Sequence, residues 1–285
     1  MNRHGSALLG ALWFSVLLAG ATAAALASAR LGSATTANRL ALARGAWAAE
    51  GCLAVAQARY AADGLIPSAF HLELGDGVGC RAEAVDPGAR VQLNLAGPEQ
   101  LEAILGRPDL AAALLDWRDA DELPRAGGAE RAWYDSLGAT PPRNGPLASV
   151  DELRLVRGFD DSVIARVRPL VTVRGEGRVS LNAAPEEVLA TVPGFGAEVV
   201  EVIVARRNAG GRWTGLEELH HAVAPGVREA IGARFQELAG LVQPEGPRMV
   251  LEIEATGPES PVRYRMDVTV APAGSRLAVI SREVR

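Results

Sequence analysis

Between Ala7 and Ala29 the chain carries no charged residue. Arg3 and His4 stand just before this stretch, which runs Ala7-Leu8-Leu9-Gly10-Ala11-Leu12-Trp13-Phe14-Ser15-Val16-Leu17-Leu18 and then turns alanine-rich. As a helix, about 23 such residues can cross a hydrocarbon core of ~30 Å. The segment can therefore serve as a membrane anchor or as a targeting signal.

Three readings compete for that segment. A cleaved signal peptide would use Ala27-Ser28-Ala29 as its small-residue cleavage site, yet its apolar region usually runs ~7–15 residues. A plain signal anchor is the second. The third is a prepilin-type leader, a short basic peptide ending in glycine and cut after Gly5, which leaves Ser6 as the new N-terminus. The chain beyond Ala29 favours the third, because helical patterning continues. Leu42, Ala46, Ala49, Leu53, Ala56 and Tyr60 alternate at spacings of four and three, the stripe of an amphipathic helix. No proline interrupts residues 6–63, and Asp63-Gly64 followed by Pro67 supplies a stop. The spacing predicts one helix over 6–63, about 55 residues and ~80 Å long. It begins apolar all round and ends one-sided, so its second half needs a sheet to lie on.

Sheet segments flank a helical middle. Phe70-His71-Leu72-Glu73-Leu74 alternates, Gly75-Asp76-Gly77 turns, Val78 to Ala84 returns, and Asp86-Pro87-Gly88 turns again. Near the C-terminus Val250 to Ala255 alternates and Thr256 to Pro261 turns. Val262 to Val270 then places Tyr264, Met266, Val268 and Val270 on one face, and Leu277 to Val284 closes a meander after Ala273-Gly274-Ser275. Between these, residues 91–245 look helical and duplicated, in repeats of about 91–175 and 176–245. Leu93-Asn94-Leu95-Ala96-Gly97-Pro98-Glu99 returns as Leu181-Asn182-Ala183-Ala184-Pro185-Glu186, and Val150-Asp151-Glu152-Leu153 as Leu216-Glu217-Glu218-Leu219. Both repeats read as helix starts, with Asn able to cap, Pro suited to the first turn and Glu at the positive end of the dipole. The division expected is leader 1–5, helix 6–63, first sheet part 64–90, insertion 91–245 and final strands 246–285.

At this point the residues resemble the K component of type II secretion systems, the family of large minor pseudopilins. Four features carry the resemblance: the leader ending at Gly5, the paired Asn-containing starts, Asp116-Trp117-Arg118-Asp119-Ala120-Asp121, and Arg143-Asn144-Gly145-Pro146-Leu147 leading into Ser149-Val150-Asp151-Glu152-Leu153. The resemblance implies an α+β fold, with a pilin-like long N-terminal helix packed on a small antiparallel sheet. A large duplicated all-α domain, of helix-hairpin-helix or SAM-like type, is inserted into that sheet. It also implies a non-enzymatic role. The protein would be processed by a prepilin peptidase, anchored once in the inner membrane with its globular part in the periplasm, and assembled with pseudopilins I and J at the tip of the pseudopilus. Pilin-like helices usually carry Glu at the fifth mature position; here it is Gly10. Such a Glu pairs with the N-terminus of a neighbouring subunit and is costly in an apolar bundle without it, so Gly10 accords with a subunit that has nothing ahead of it.

Of the chemical motifs, the acidic run is the strongest. Asp116, Asp119 and Asp121, then Glu122 and Glu130, lie around a loop containing Pro124, Gly127 and Gly128. Closely spaced carboxylates suit Ca²⁺, which takes ~6–8 oxygen ligands, although spacing alone equally describes a solvated acidic loop and does not match an EF-hand. The resemblance implies calcium in the helical domain, with Asp119, Asp121 and Glu130 as ligands and Asp116 either joining them or instead capping a helix or pairing with an arginine. Val192-Pro193-Gly194-Phe195-Gly196 is a helix-hairpin-helix signature, but Glu198 and Glu201 follow it with no basic residue until Arg206, and negative charge there repels phosphate. With net charge −5, pI about 5.5 and 29 arginines against 34 acidic residues, the chain is not expected to bind nucleic acid. The competing reading, a membrane-anchored helix-hairpin-helix DNA-binding protein of the competence type, is opposed by that charge and by the strand-rich C-terminus. His220 and His221 adjoin each other without a metal partner at ligand spacing, and no nucleophile, base and orienting acid come together in the sequence. Cys52 and Cys80 leave open either a disulfide or two buried thiols.

Overall fold

A computed structural model describes residues 3–257 and 263–284, with side-chain surroundings from Ala11 onward. A single helix, α1, runs from Arg3 to Asp63. Its first part is bare: Leu12, Trp13, Phe14, Val16, Leu17 and Leu18 are all exposed. From Gly45 the helix beds down on a sheet. Ala48, Ala49, Cys52, Leu53, Ala56 and Tyr60 are buried, whereas Leu42, the first member of the expected stripe, remains exposed because the sheet does not reach it. Gly45 lets the two elements meet closely, since a β-carbon there would lie 2.6 Å from that of Tyr264. The helix stops at Gly64, which takes φ +70. Gly5, Ser6 and Gly10 fall within the backbone of α1, but their surroundings lie outside the described residues, as does most of the expected turn at Thr256 to Pro261.

After α1 come β1 (Ala69–Gly75) and β2 (Val78–Val85), joined at Asp76-Gly77 with Gly75, Asp76 and Gly77 all at positive φ. The chain then leaves the sheet and returns only at β7 (Met249–Thr256), followed by β8 (Arg263–Ala273) and β9 (Arg276–Val284). The five strands lie in the order β1-β2-β7-β8-β9, every neighbouring pair antiparallel. Sequence-distant β2 and β7 are therefore direct neighbours, and the excursion between them is an insertion into a meander. Period-two alternation sends Cys80, Ala82, Leu251, Ile253, Ala255, Met266, Val268 and Val270 toward α1. A disulfide, Cys52–Cys80, fastens α1 to β2, which resolves the pairing that the sequence left open.

Within the excursion the elements are β3 (Val91–Gln92), α2 (Pro98–Leu105), α3 (Pro108–Arg118), α4 (Arg131–Ser136), α5 (Asp161–Val167), β4 (Val171–Thr172), β5 (Val179–Ser180), α6 (Glu186–Leu189), α7 (Ala197–Asn208), α8 (Leu216–Ala222), α9 (Pro225–Ala233), α10 (Phe235–Leu241) and β6 (Val242–Gln243). They enclose a second core, separate from that under α1. β3 pairs in parallel with β4, and β5 with β6, so each half opens and closes on its own two-residue ladder. The Asn residues of the two repeats do not cap helices; the caps are Gly97 and Pro185, without side-chain hydrogen bonds. Instead Asn94 accepts from Leu147 N at 2.7 Å and donates to Leu147 O at 3.0 Å. Asn182 does the same with Trp213, at 2.7 and 2.8 Å. Glu152 accepts from Ala148 N and Glu218 from Thr214 N, while Arg118 and Arg207 donate to Ala96 O and Ala184 O. One set of long-range ties thus appears twice.

The outer face of the sheet carries an unusual row. Glu83, Glu252, Asp267 and Glu283 face one another in register across four strands, an arrangement that is repulsive on its own. Arginines from the insertion offset it. Arg90 pairs with Glu252 at 2.8 Å, and Arg174 with Asp267 at 2.5 Å and with Glu283. Arg90 precedes β3 and Arg174 follows β4, so the ladder that closes the first half also presents the two cations to the sheet.

Replacing Cys52 and Cys80 together by alanine is expected to lower stability by about 2–4 kcal/mol, the usual worth of a native disulfide. Urea titration of the oxidised protein and the variant measures it, and equal midpoints would show that the bridge contributes nothing.

Candidate metal centre

The acidic run sits where α3 ends. Asp116 occupies the last turn of that helix, fully buried, and Asp119 is its C-cap residue. The chain loops out through Gly127, which takes φ +86, and returns at Glu130, the residue before α4. This return is tight, because any β-carbon at Gly128 would overlap the Asp116 carboxylate. The result is that Asp116, Asp119 and Glu130 each place one oxygen within 4.8 Å of the others. Two of the three residues are buried.

Arg125 holds part of that charge. Its guanidinium donates to Asp116 Oδ1 at 2.7 Å and to Asp119, and its backbone N donates to Asp116 Oδ2 at 3.1 Å. Hydrogen bonds to Asp119 first and Asp116 second hold Arg125 above its ordinary pKa. One arginine does not satisfy three carboxylates. Asp119 Oδ1 and both carboxylate oxygens of Glu130 are buried without a hydrogen-bond partner among the described residues. Burial, and then the neighbouring Asp116 and Asp119, push Glu130 up to about 7. Orphaned, convergent, acceptor-only oxygens are what a hard cation with oxygen ligands needs, so the residues present fit a divalent ion such as Ca²⁺.

Asp121 does not join them. It is exposed, and its Oδ1 accepts from Leu123 N at 2.9 Å, closing a local turn. Of the expected ligands the structure brings together Asp116, Asp119 and Glu130 and leaves Asp121 outside. Asp116 both pairs with an arginine and lines the cluster, two roles that the sequence set against each other. Sequence reasoning missed Arg125, whose only signal was its place inside the acidic loop. It also missed Asn144, at φ +51, which donates to Glu122 at 3.0 Å while its Oδ1 is buried without a partner among the described residues. The loop is peculiar to the first half: residues 119–146 separate Arg118 from Leu147, where only residues 208–212 separate Arg207 from Trp213.

The same stretch is the part that matches known proteins. The family model described as "Type II secretion system (T2SS), protein K" matches residues 95–176, which contain the whole acidic cluster. Residues 95–176 are thus similar to protein K over that stretch. Protein K of the type II secretion system of Klebsiella pneumoniae is 36% identical over 89 residues, 30% of this chain and 26% of that protein. The Aeromonas hydrophila protein K is 38% identical over 88 residues, 30% and 25% respectively. The aligned stretches thus span about a quarter of these protein K relatives. One chain of the GspK–GspI–GspJ complex of the enterotoxigenic Escherichia coli type 2 secretion system matches the fold with a TM-score of 0.60 at 17% identity, over 77% of this chain and 84% of that one. The two chains therefore share a fold over those stretches.

Glu130 sets a pH dependence whose sign follows from its raised value. Between its ordinary 4.5 and about 7 the folded state holds a proton that the unfolded state releases, so stability contributed by this group falls as pH rises through that window. Glu130→Gln removes the decline. In chelator, the urea midpoint of the variant relative to the parent should climb between about pH 4.5 and 7, and a constant difference would refute the assignment.

Proposed function

We propose that the chain is a minor pseudopilin of the type II secretion system, a structural and non-catalytic component that assembles with pseudopilins I and J. The observation that carries this reading is the joining, in one chain, of a protein K domain to a helix that is packed on its own sheet only in its second half. The segment Ala11–Asp63 is long and apolar enough to include a membrane span, and its most apolar window is wholly uncovered. In the proposed life cycle a prepilin peptidase cuts after Gly5, the helix anchors the protein in the inner membrane, and the sheet and insertion lie in the periplasm. The named complex of the structural neighbour supports I and J as partners.

The position proposed is the tip. The insertion between β2 and β7 is the size of a whole domain. Repeated at every level of a filament whose helices lie ~10 Å apart, it would collide with its copies. Gly10 in place of a carboxylate agrees with a subunit that needs none ahead of it. Antibody labelling of assembled pseudopili should mark one end; decoration along the whole length would sink the proposal.

Ca²⁺ is the proposed occupant of the acidic cluster, held by Asp116, Asp119 and Glu130, where it would supply the positive charge that Arg125 provides only in part. The protein should gain RT ln(1 + [L]/Kd), about 2.7 kcal/mol at a hundredfold excess over Kd. Asp119→Ala with Glu130→Ala should abolish the gain, whereas Asp121→Ala should keep it. A melting temperature indifferent to both calcium and chelator would remove the ion from the account.

A further inference from the structure

The two halves of the inserted domain share their long-range ties but not their surface. Matching Arg118 with Arg207, which donate to equivalent carbonyls, sets α3 and α7 in register. Ala112, Leu115 and Asp116 then correspond to Glu201, Val204 and Ala205. The first three are buried. Of the second three, Glu201 and Ala205 are exposed and Val204 is half-buried. The difference has a visible cause. In the first half residues 119–146 fold back over α3, with Gly128 pressed on Asp116 and Tyr134 stacked edge-on against Trp117 at 5.4 Å. In the second half residues 208–212 merely turn, and among the described residues the matching face stays open, with Glu201 and Ala205 exposed.

What remains is a cleft of about 630 Å³ between α6 and α7. Its apolar lining comprises Ala190, Ala197, Val200, Val204 and Ala205. Its rim is acidic: Glu186, Glu187 and Glu201 line it, Glu198 lies exposed on the same helix, and no arginine is among the lining residues. We propose that this cleft docks a short, basic, amphipathic helix of another protein. The first half shows what such an occupant looks like. There the matching helix is covered by a loop that brings one short helix, α4, with an aromatic ring buried at its centre and an arginine, Arg125, on the carboxylates below. An apolar anchor would meet the apolar lining, and lysines or arginines would meet the carboxylate rim, the arrangement by which helices lie in grooves. The acidic rim favours such a partner over nucleic acid or an anionic membrane surface.

The test uses the full chain in neutral detergent micelles at 0.15 M salt. The probe is a fluorescent peptide of about four helical turns, with leucines at i, i+4 and i+7 and lysines elsewhere; a control peptide has the same composition with the leucines scrambled. Anisotropy titration should show the patterned probe binding at least tenfold more tightly, about 1.4 kcal/mol. Ala205→Trp, which fills the cleft, should reduce that binding at least about tenfold. Glu201→Lys, at an exposed position that leaves folding intact, should do the same for the lysine probe and should bind a leucine–glutamate probe instead. Equal binding of the scrambled peptide, or binding unchanged in both variants, would overturn the proposal. So would sedimentation showing that a second copy of this chain fills the cleft, seen as a concentration-dependent dimer lost in Ala205→Trp.

Discussion

The pairing of β2 with β7 is the constraint on which the rest of the molecule depends. Seven residues of each strand stand in register, Gly79 opposite Thr256 through Val85 opposite Val250. These partners are far apart in sequence, so the pair forms only if the long insertion brings its own ends together, at an entropic cost that grows with loop length. Asp86 makes that closure local. Buried at the exit of β2, it accepts from Gly88 N at 2.8 Å on the outgoing chain and from Gly246 N at 2.9 Å on the returning one. Both glycines are needed for space, since a β-carbon at Gly88 would lie 2.8 Å from Arg178 O and one at Gly246 would lie 2.6 Å from Asp86 Oδ1. With the two ends clasped, the sheet continues as though the insertion were absent.

The insertion repays the sheet through charge. Four carboxylates in register across β2, β7, β8 and β9 would repel one another, and Arg90 and Arg174 reach them from either side of the β3–β4 ladder. The partly buried Arg174–Asp267 pair is worth more for geometry than for stability, because desolvation offsets much of its attraction. Its effect is to fix where the helical domain sits on the strands. The apolar face of the same sheet is committed to α1, held there by the Cys52–Cys80 bridge and by Arg282 donating to Glu50 at 2.6 Å. The sheet is therefore a plate with a helix on one side and a domain clamped to the other.

Duplication and divergence account for the two candidate surfaces. The same Asn, Glu and Arg ties build both halves, yet the first half spends a long loop over α3 and the second does not. Where the loop lies, it buries acidic side chains that no protein group fully satisfies, and a buried carboxylate without a partner is unfavourable enough to demand a cation or a proton. Where the loop is missing, the equivalent helix presents apolar side chains and glutamates to solvent. One structural difference thus produces a candidate ion site in one half and an open cleft in the other.

How much of this was legible beforehand divides along physical lines. Local patterning alone determined the elements: the charge-free run and the 3.6-residue stripe specify α1, period-two alternation specifies β1, β2, β7, β8 and β9, and the returning Leu-Asn and Glu-Leu motifs reveal two similar halves. Such patterns are local, so they survive without knowledge of neighbours. Asp116, Asp119 and Glu130 could likewise be singled out as an acidic run. Only the tertiary structure decided what these residues do. Asn94 and Asn182 look like helix caps but reach across each half to Leu147 and Trp213, a distance no local rule encodes. Asp121 looks like a ligand, but a turn to Leu123 N claims it first. Cys52 and Cys80 become a bridge because α1 lies on β2, with Cα atoms 6.3 Å apart. Asp267 belongs to the polar face of β8 by alternation, yet it is buried, because Arg174 arrives from a domain that the strand pattern cannot foresee. Periodicity reports which face of an element is apolar; which other element covers that face, and which charge it brings, is settled only when the chain closes on itself.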